Sequence, residues 1–205
     1  MAALLVSLSA AVAAHDVAPT VTFIVTPGRP SFHTAQKAAA APRARPAESA
    51  SALVAQGVAA LEQGDGQAAK TLFERALKRD PKNVEAHTYL GALADRAGAL
   101  QEAETHFAAA ARNAPRSAEA RNNYGAILFR RGRAALAAAE FEASLKLDAR
   151  QPSALVNLAQ IRFASSALED LRAARALFER AHAIAPDAEI ARALTVIALR
   201  LGDAP

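Results

Sequence analysis

The chain repeats itself every 34 residues. Gly57, Gly91 and Gly125 stand 34 apart, as do Gly64, Gly98 and Gly132, so six of the nine glycines lie on one lattice. Pro81 and Pro115 keep the spacing, phenylalanine recurs at 73, 107 and 141, and the string SALV at Ser51 returns at Ser153, three periods later. A fixed period of this length means several copies of one supersecondary unit, each too small to bury its apolar face without its neighbours. The lattice breaks once. LFERA begins at Leu72 and again at Leu177, 105 residues on, and the fourth phenylalanine of the series is Phe178, 37 residues after Phe141. Three extra residues therefore enter between Val156 and Leu177.

Within a period, two stretches with helical spacing of apolar residues flank a glycine turn, and a proline or loop residue closes the unit. Each unit is thus expected to be a helical hairpin. In the first, Leu53, Gly57, Ala60 and Leu61 share one face, Gly64-Asp65-Gly66 makes the turn, and Ala69, Phe73, Ala76 and Leu77 share the face of the second helix. Gly57, Gly91, Gly125 and the alanines at 69, 103, 137 and 174 let two helix axes approach closely, and Phe73, Phe107, Phe141 and Phe178 are expected to fill the space between successive hairpins.

These residues resemble the tetratricopeptide repeat, whose 34-residue signature has a small residue at the eighth place, a turn glycine, alanine at the twentieth, an aromatic at the twenty-fourth, alanine at the twenty-seventh and proline near the end. Leu90-Gly91, Gly98, Ala103, Phe107, Ala110 and Pro115 follow it in the second unit. The resemblance spans residues 50–188 as four repeats, 50–83, 84–117, 118–151 and 152–188, with 189–205 as a capping helix and tail. It implies an all-α, right-handed superhelical solenoid whose first helices line a concave groove for extended peptides or partner helices. Departures are local. Leu53, His87, Arg121 and Leu155 replace the large first-helix aromatic, Ser144 an alanine, Ala149 a proline and Ala159 a glycine. The insertion falls in ASSALEDL, where Ser165 or Ser166 is expected to cap a helix beginning at Leu168.

Alanine supplies 58 residues, which suits thin, closely packed helices, and this richness resembles that of high-GC bacterial proteins. With no cysteine, disulfides, thiolate metal sites, cysteine nucleophiles and cysteine lipidation are excluded. The net charge of +4 divides equally between residues 1–50 and the rest, a small excess.

MAALLVSLSAAVAA, residues 1–14, is uncharged and ends in small residues, which fits a secretory signal; the missing basic start fits instead a non-structural prefix from a start placed too early. Export to the periplasm or beyond and a cytoplasmic location both remain open. Residues 15–49 contain five prolines and read as a disordered linker. TVTFIVT at 20–26 has the composition of a strand or partner-binding segment, but with nothing visible to pair with it is also expected to be disordered.

By register, the groove-facing candidates are Thr88, Tyr89, Asn122, Asn123, Phe129, Arg130, Asn157, Gln160 and Phe163. Asn123 and Asn157 stand 34 apart, and an asparagine amide both donates to and accepts from peptide backbone. The family's chaperone-tail clamp is not met, because Val54, Val58 and Glu119 stand where polar or basic groups are needed. Arg112, Arg116, Arg121, Arg131 and Arg133, with Arg130, face only Glu119 across residues 112–133. Such a cluster suits an acidic partner segment, or pairs internally with Glu140, Glu142 or other neighbours. Five dispersed histidines and the lack of HExxH or a phosphate loop point to no catalytic constellation, metal site or cofactor. Nucleic-acid binding wants more basic residues interleaved with aromatics. The expected function is a non-enzymatic scaffold binding a protein partner in the groove; self-association and service as an enzyme's accessory subunit are the alternatives.

Overall fold

The computed structural model describes residues 5–6, 23–24 and 48–202. Among them are nine helices: α1 (Ala50–Glu62), α2 (Gly66–Arg79), α3 (Val84–Arg96), α4 (Leu100–Asn113), α5 (Ala118–Arg130), α6 (Ala134–Leu147), α7 (Pro152–Phe163), α8 (Leu168–Ile184) and α9 (Ala188–Leu201). Helices α1, α3, α5 and α7 start 34 residues apart, and each packs against the next helix as an antiparallel hairpin partner. Two short strands, β1 (Leu5–Val6) and β2 (Phe23–Ile24), pair antiparallel, with Leu5 opposite Ile24. The expectation that TVTFIVT has no strand to pair with is therefore corrected at Phe23–Ile24. The expectations for the remainder of the signal-like segment and the linker lie outside the described residues.

The helices fall into two units, one holding α1–α4 and the other β1, β2 and α5–α9. The first is organised around Leu53, Phe73, Ala76, Ala86 and Leu90. A core of the second gathers Leu155, Ala174, Phe178, Ile190 and Ile197.

Helix starts are set chemically. Ser49, Asp65, Asn83 and Ser117 each accept a hydrogen bond from the backbone N–H three residues on, and Asp187 accepts from Glu189 and Ile190, satisfying donors that a first turn leaves free. Gly64, Gly98 and Gly132 end α1, α3 and α5 at φ of +81°, +76° and +76°, a region costly to residues with a Cβ.

Phe73, Phe107 and Phe141 are fully buried, but each ring lies against the glycine of its own hairpin. A Cβ on Gly57 would stand 2.5 Å from Phe73, one on Gly91 3.0 Å from Phe107, and one on Gly125 2.7 Å from Phe141. Each ring thus closes its own hairpin, and Phe73 also reaches the next one as expected, stacking on Tyr89 of α3 and packing with Ala86 and Leu90.

The three inserted residues lengthen α8. It has 17 residues against 14 in α6, and both helices end six residues past their phenylalanine, so the addition lies at the N-terminal end of α8. Neither serine takes the N-cap. That place is held by Ala167 without a side-chain cap, while Ser165 accepts from the Ala167 N–H at 3.1 Å. Asp170, in the first turn, is held below the usual carboxylate range by the Ser165 hydroxyl and then by Arg162, whose guanidinium lies 3.0 Å away.

Candidate functional site

Four amides gather on α5 and α7, which touch directly. On α7, Asn157 and Gln160 are three residues apart and share a face; on α5, Asn122 and Asn123 begin the matching turn. Asn122, Asn123 and Asn157 are buried, at 0%, 1% and 1% exposure. Asn157 Nδ2 donates to Asn122 Oδ1 at 3.0 Å and ties the two helices together. The remaining capacity is unspent. Asn122 Nδ2, both amide atoms of Asn123 and Gln160 Nε2 are buried with no hydrogen-bond partner.

Buried amides are nearly always satisfied, because taking one out of water without a replacement bond costs about 1–3 kcal/mol per group. Two donors and an amide capable of both roles, held unsatisfied on adjacent helices, are what a peptide backbone running past them would complete. The scaffold for this is rigid. Ile127 and Leu128 on α5 and Leu155 and Leu158 on α7 are buried, so the helices are fixed by packing independent of the amides.

Other predicted residues have different surroundings. Tyr89, in the α1–α4 unit, stacks on Phe73 with ring centroids 4.9 Å apart and planes 4° from parallel. Thr88 donates to the Val84 carbonyl at 2.9 Å. Phe163 lies beneath the Arg200 guanidinium, 5.1 Å from the ring centroid, while Arg200 also donates to the Phe163 and Ser165 carbonyls. Arg130 ends α5, Arg131 caps it, and Phe129 precedes them, all half-buried.

The arginine group divides between units, Arg112 ending α4 and Arg116, Arg121, Arg131 and Arg133 belonging with α5 and α6. Arg121 is engaged internally. It reaches Glu140 at 3.2 Å and donates to the Pro115 carbonyl at 3.2 Å. Glu142 takes Arg162 instead, at 3.3 Å.

His87 occupies the place of Arg121 one repeat earlier and behaves alike, its Nε2 lying 3.1 Å from the Pro81 carbonyl and its Nδ1 3.0 Å from His106 Nδ1. Burial, then the neighbouring His87, holds His106 below the ordinary histidine pKa. No cluster of three His, Asp or Glu suited to a metal ion occurs among the described residues.

Comparison with known proteins decides the family. The model described as "Tetratricopeptide repeat" matches residues 54–118 and again 101–154. Residues 54–154 are tetratricopeptide repeats. No curated protein matches the chain. Solved structures do. The chain is similar to PilF of Pseudomonas aeruginosa (TM-score 0.67, 22% identity, 76% of this chain and 70% of that one). It is also similar to PilW, described as a widely conserved type IV pilus biogenesis factor (0.64, 25%, 75% and 70%), and to MamA (0.65, 19%, 75% and 83%).

Within tetratricopeptide repeats such as these, Asn123 and Asn157 hold the same place on the first helix of two consecutive units, where the earlier units carry Ala55 and Tyr89. Sequence register therefore located the amides. What it could not show was that Asn122 turns to Asn157, since Val54, Thr88 and Val156 at the place of Asn122 do not announce a polar function.

Proposed function

We propose that this protein is a non-catalytic scaffold whose α5–α7 face binds an extended segment of a protein partner through Asn122, Asn123, Asn157 and Gln160, and so contributes to assembly of a larger complex. Tetratricopeptide-repeat folds are protein–protein interaction scaffolds, which supports the general role. The observation that carries the specific one is the unsatisfied pair of amide atoms on Asn123, buried at 1% exposure. Backbone-directed bonds from asparagine hold a chain in register without reading its side chains. The 25% identity to a pilus biogenesis factor is in keeping with a part in building an assembly. Arg130, two turns beyond Asn123 on α5, would orient the segment's carboxylates or carbonyls, and Arg116, Arg131 and Arg133 would offer a further surface for acidic residues. Tyr89, half-buried and with one ring face stacked on Phe73, would offer a partner only the rest of its ring.

The test is affinity capture by the full chain from lysate and envelope fractions, with Asn123→Ala as the matched control. Asn123→Ala removes no hydrogen bond found among the described residues, so a partner retained by the parent and lost by the variant places binding at the amides. A partner held equally by both refutes the amide reading and turns attention to the arginines; recovery of the chain alone favours self-association.

A further inference from the structure

One place in each hairpin is filled by two side chains that match each other. The first-helix member is Leu53, His87, Arg121 or Leu155, and its second-helix counterpart is Leu72, His106, Glu140 or Leu177. The separation is 19 residues in the first three hairpins and grows by the three inserted residues in the fourth. Leu72 packs on the core that holds Leu53, and Leu177 on the core that holds Leu155. Arg121 reaches Glu140 at 3.2 Å. The second hairpin alone carries a pair of the residue type that titrates near neutral pH, with His87 Nδ1 3.0 Å from His106 Nδ1. We propose that the His87–His106 pair is a proton-operated clasp, holding α3 against α4 while the two rings share one proton and opening that hairpin when each facing nitrogen carries its own.

The contacts fix the hydrogen count. The Pro81 carbonyl, 3.1 Å from His87 Nε2, can only accept, so Nε2 carries a hydrogen and the neutral His87 ring offers Nδ1 as an acceptor. His106 then donates from Nδ1. The ring centroids are 5.3 Å apart, little more than the 3.0 Å contact extended by the two ring radii, so the nitrogens meet nearly head-on. That gap suits a hydrogen; two metal–nitrogen bonds of about 2 Å each do not fit in line within it. A first added proton goes to His106 Nε2 and leaves the shared hydrogen in place. A second puts N–H groups on both facing Nδ1 atoms and turns the bond into a repulsion between two cations. The surroundings balance only the first. Within the α1–α4 unit the charged groups facing His106 are Glu102 on its own helix and Lys70 and Glu74 on α2, an excess of one negative charge, and Lys70 already pairs with Glu102 at 3.0 Å. Leucine does not ionise, and an arginine–glutamate pair stays charged down to about pH 5. Acid therefore acts at one hairpin of the four, and it does so independently of the amides on α5 and α7.

The test follows the imidazole nitrogen resonances and the amide hydrogen exchange of the full chain by NMR from about pH 7.5 to pH 5. At the upper end His106 should show the Nδ1–H tautomer and share a downfield proton with His87. As the second proton enters, that resonance should disappear, and exchange in α3 and α4 should quicken beyond its intrinsic rate by up to about tenfold per pH unit, with α7 and α8 as the reference. His87→Arg with His106→Glu, which copies the third hairpin, should abolish the acceleration. His87→Leu with His106→Leu, which copies the first and fourth, should do the same and serves if the charged pair fails to fold. Independent titration of the two rings with no shared resonance would overturn the clasp. So would exchange in α3 and α4 that keeps step with α7 and α8 in the parent, or an acceleration that survives in a folded double variant.

Discussion

Replacing Asn123 by alanine should make the free chain more stable, and the same replacement at Asn157 should make it less stable. The two residues are equivalent by position, 34 apart on the first helices of consecutive hairpins, and both are 1% exposed. Their bonding differs. Asn123 carries two buried polar atoms without partners, each costing about 1–3 kcal/mol relative to water. Alanine removes both and gains up to about 0.7 kcal/mol of helix propensity, against the loss of a small side chain's packing, roughly 1 kcal/mol. The net expectation is a stabilisation of at least about 1 kcal/mol. At Asn157 the substitution breaks the bond to Asn122 Oδ1 and leaves the whole Asn122 amide buried and unpaired. That costs about 1–3 kcal/mol after the same propensity gain. Urea unfolding followed by circular dichroism separates the cases. With a slope of about 1–3 kcal/mol per molar, the midpoints should move by a few tenths of a molar or more, in opposite directions. Two shifts of the same sign and size would show that Asn123 is satisfied in the free protein, and the argument for a waiting ligand would fail. The result also guards the capture experiment, because a variant more stable than its parent cannot lose its partner by unfolding.

The glycine contacts predict a graded series. Gly57→Ala meets Phe73 at 2.5 Å and should cost about 1–3 kcal/mol from overpacking, whereas Gly91→Ala, at 3.0 Å from Phe107, should fall near neutral once about 1 kcal/mol of helix propensity is credited. Equal effects in urea melts would contradict the geometry. Gly98→Ala meets no atom within 4 Å but holds φ at +76°, so it should destabilise by about 1 kcal/mol through backbone strain alone. Acidification should weaken the α1–α4 unit through His106, whose pKa is lowered by burial, by His87 and by Lys70 against the opposing Glu102 and Glu74. The unfolded chain then takes up this proton at the ordinary value of about 6.5, above the folded one, so stability is full above that pH and is lost as pH falls through it toward the folded pKa. Unfolding midpoints between about pH 7.5 and pH 5 should decline, and His106→Gln should flatten the decline.

The hairpins were legible because every constraint on them repeats. Glycine with positive φ, small residue under phenylalanine ring and capping side chain each recur with the period, and one chemical reason suffices for all copies. Elsewhere a local change had several structural answers. Three inserted residues fit a longer turn or a longer helix equally well by count, and only the unchanged distance from Phe178 to the end of α8 shows that the helix absorbed them. Phenylalanine opposite glycine serves both within and between hairpins: Phe73 meets Gly57 of its own hairpin and Tyr89 of the next, and the sequence pointed only to the second contact. Pairing of Phe23–Ile24 with Leu5–Val6 was illegible for another reason: a strand of two residues has no periodicity, and its partner lay in a segment that also reads as a signal.

The position that accepts Leu53, His87, Arg121 and Leu155 shows how this chain distributes polarity. In the two central hairpins the polar choice is answered within the hairpin, His87 by His106 and Arg121 by Glu140, and each also contacts the carbonyl of the loop proline before its helix. Ser144, in place of an alanine, is likewise answered twice, by the Ala118 carbonyl and by Gln151. Each of these three side chains is thus satisfied within the described residues. The amides on α5 and α7 depart from that practice, and they do so on two adjacent first helices while Leu53, Val54 and Leu90 keep the corresponding helices of the other unit apolar in their cores. A ligand that supplied the missing bonds would remove this cost, and the α5–α7 amides, ahead of the arginines or Tyr89, are therefore where binding should be sought first.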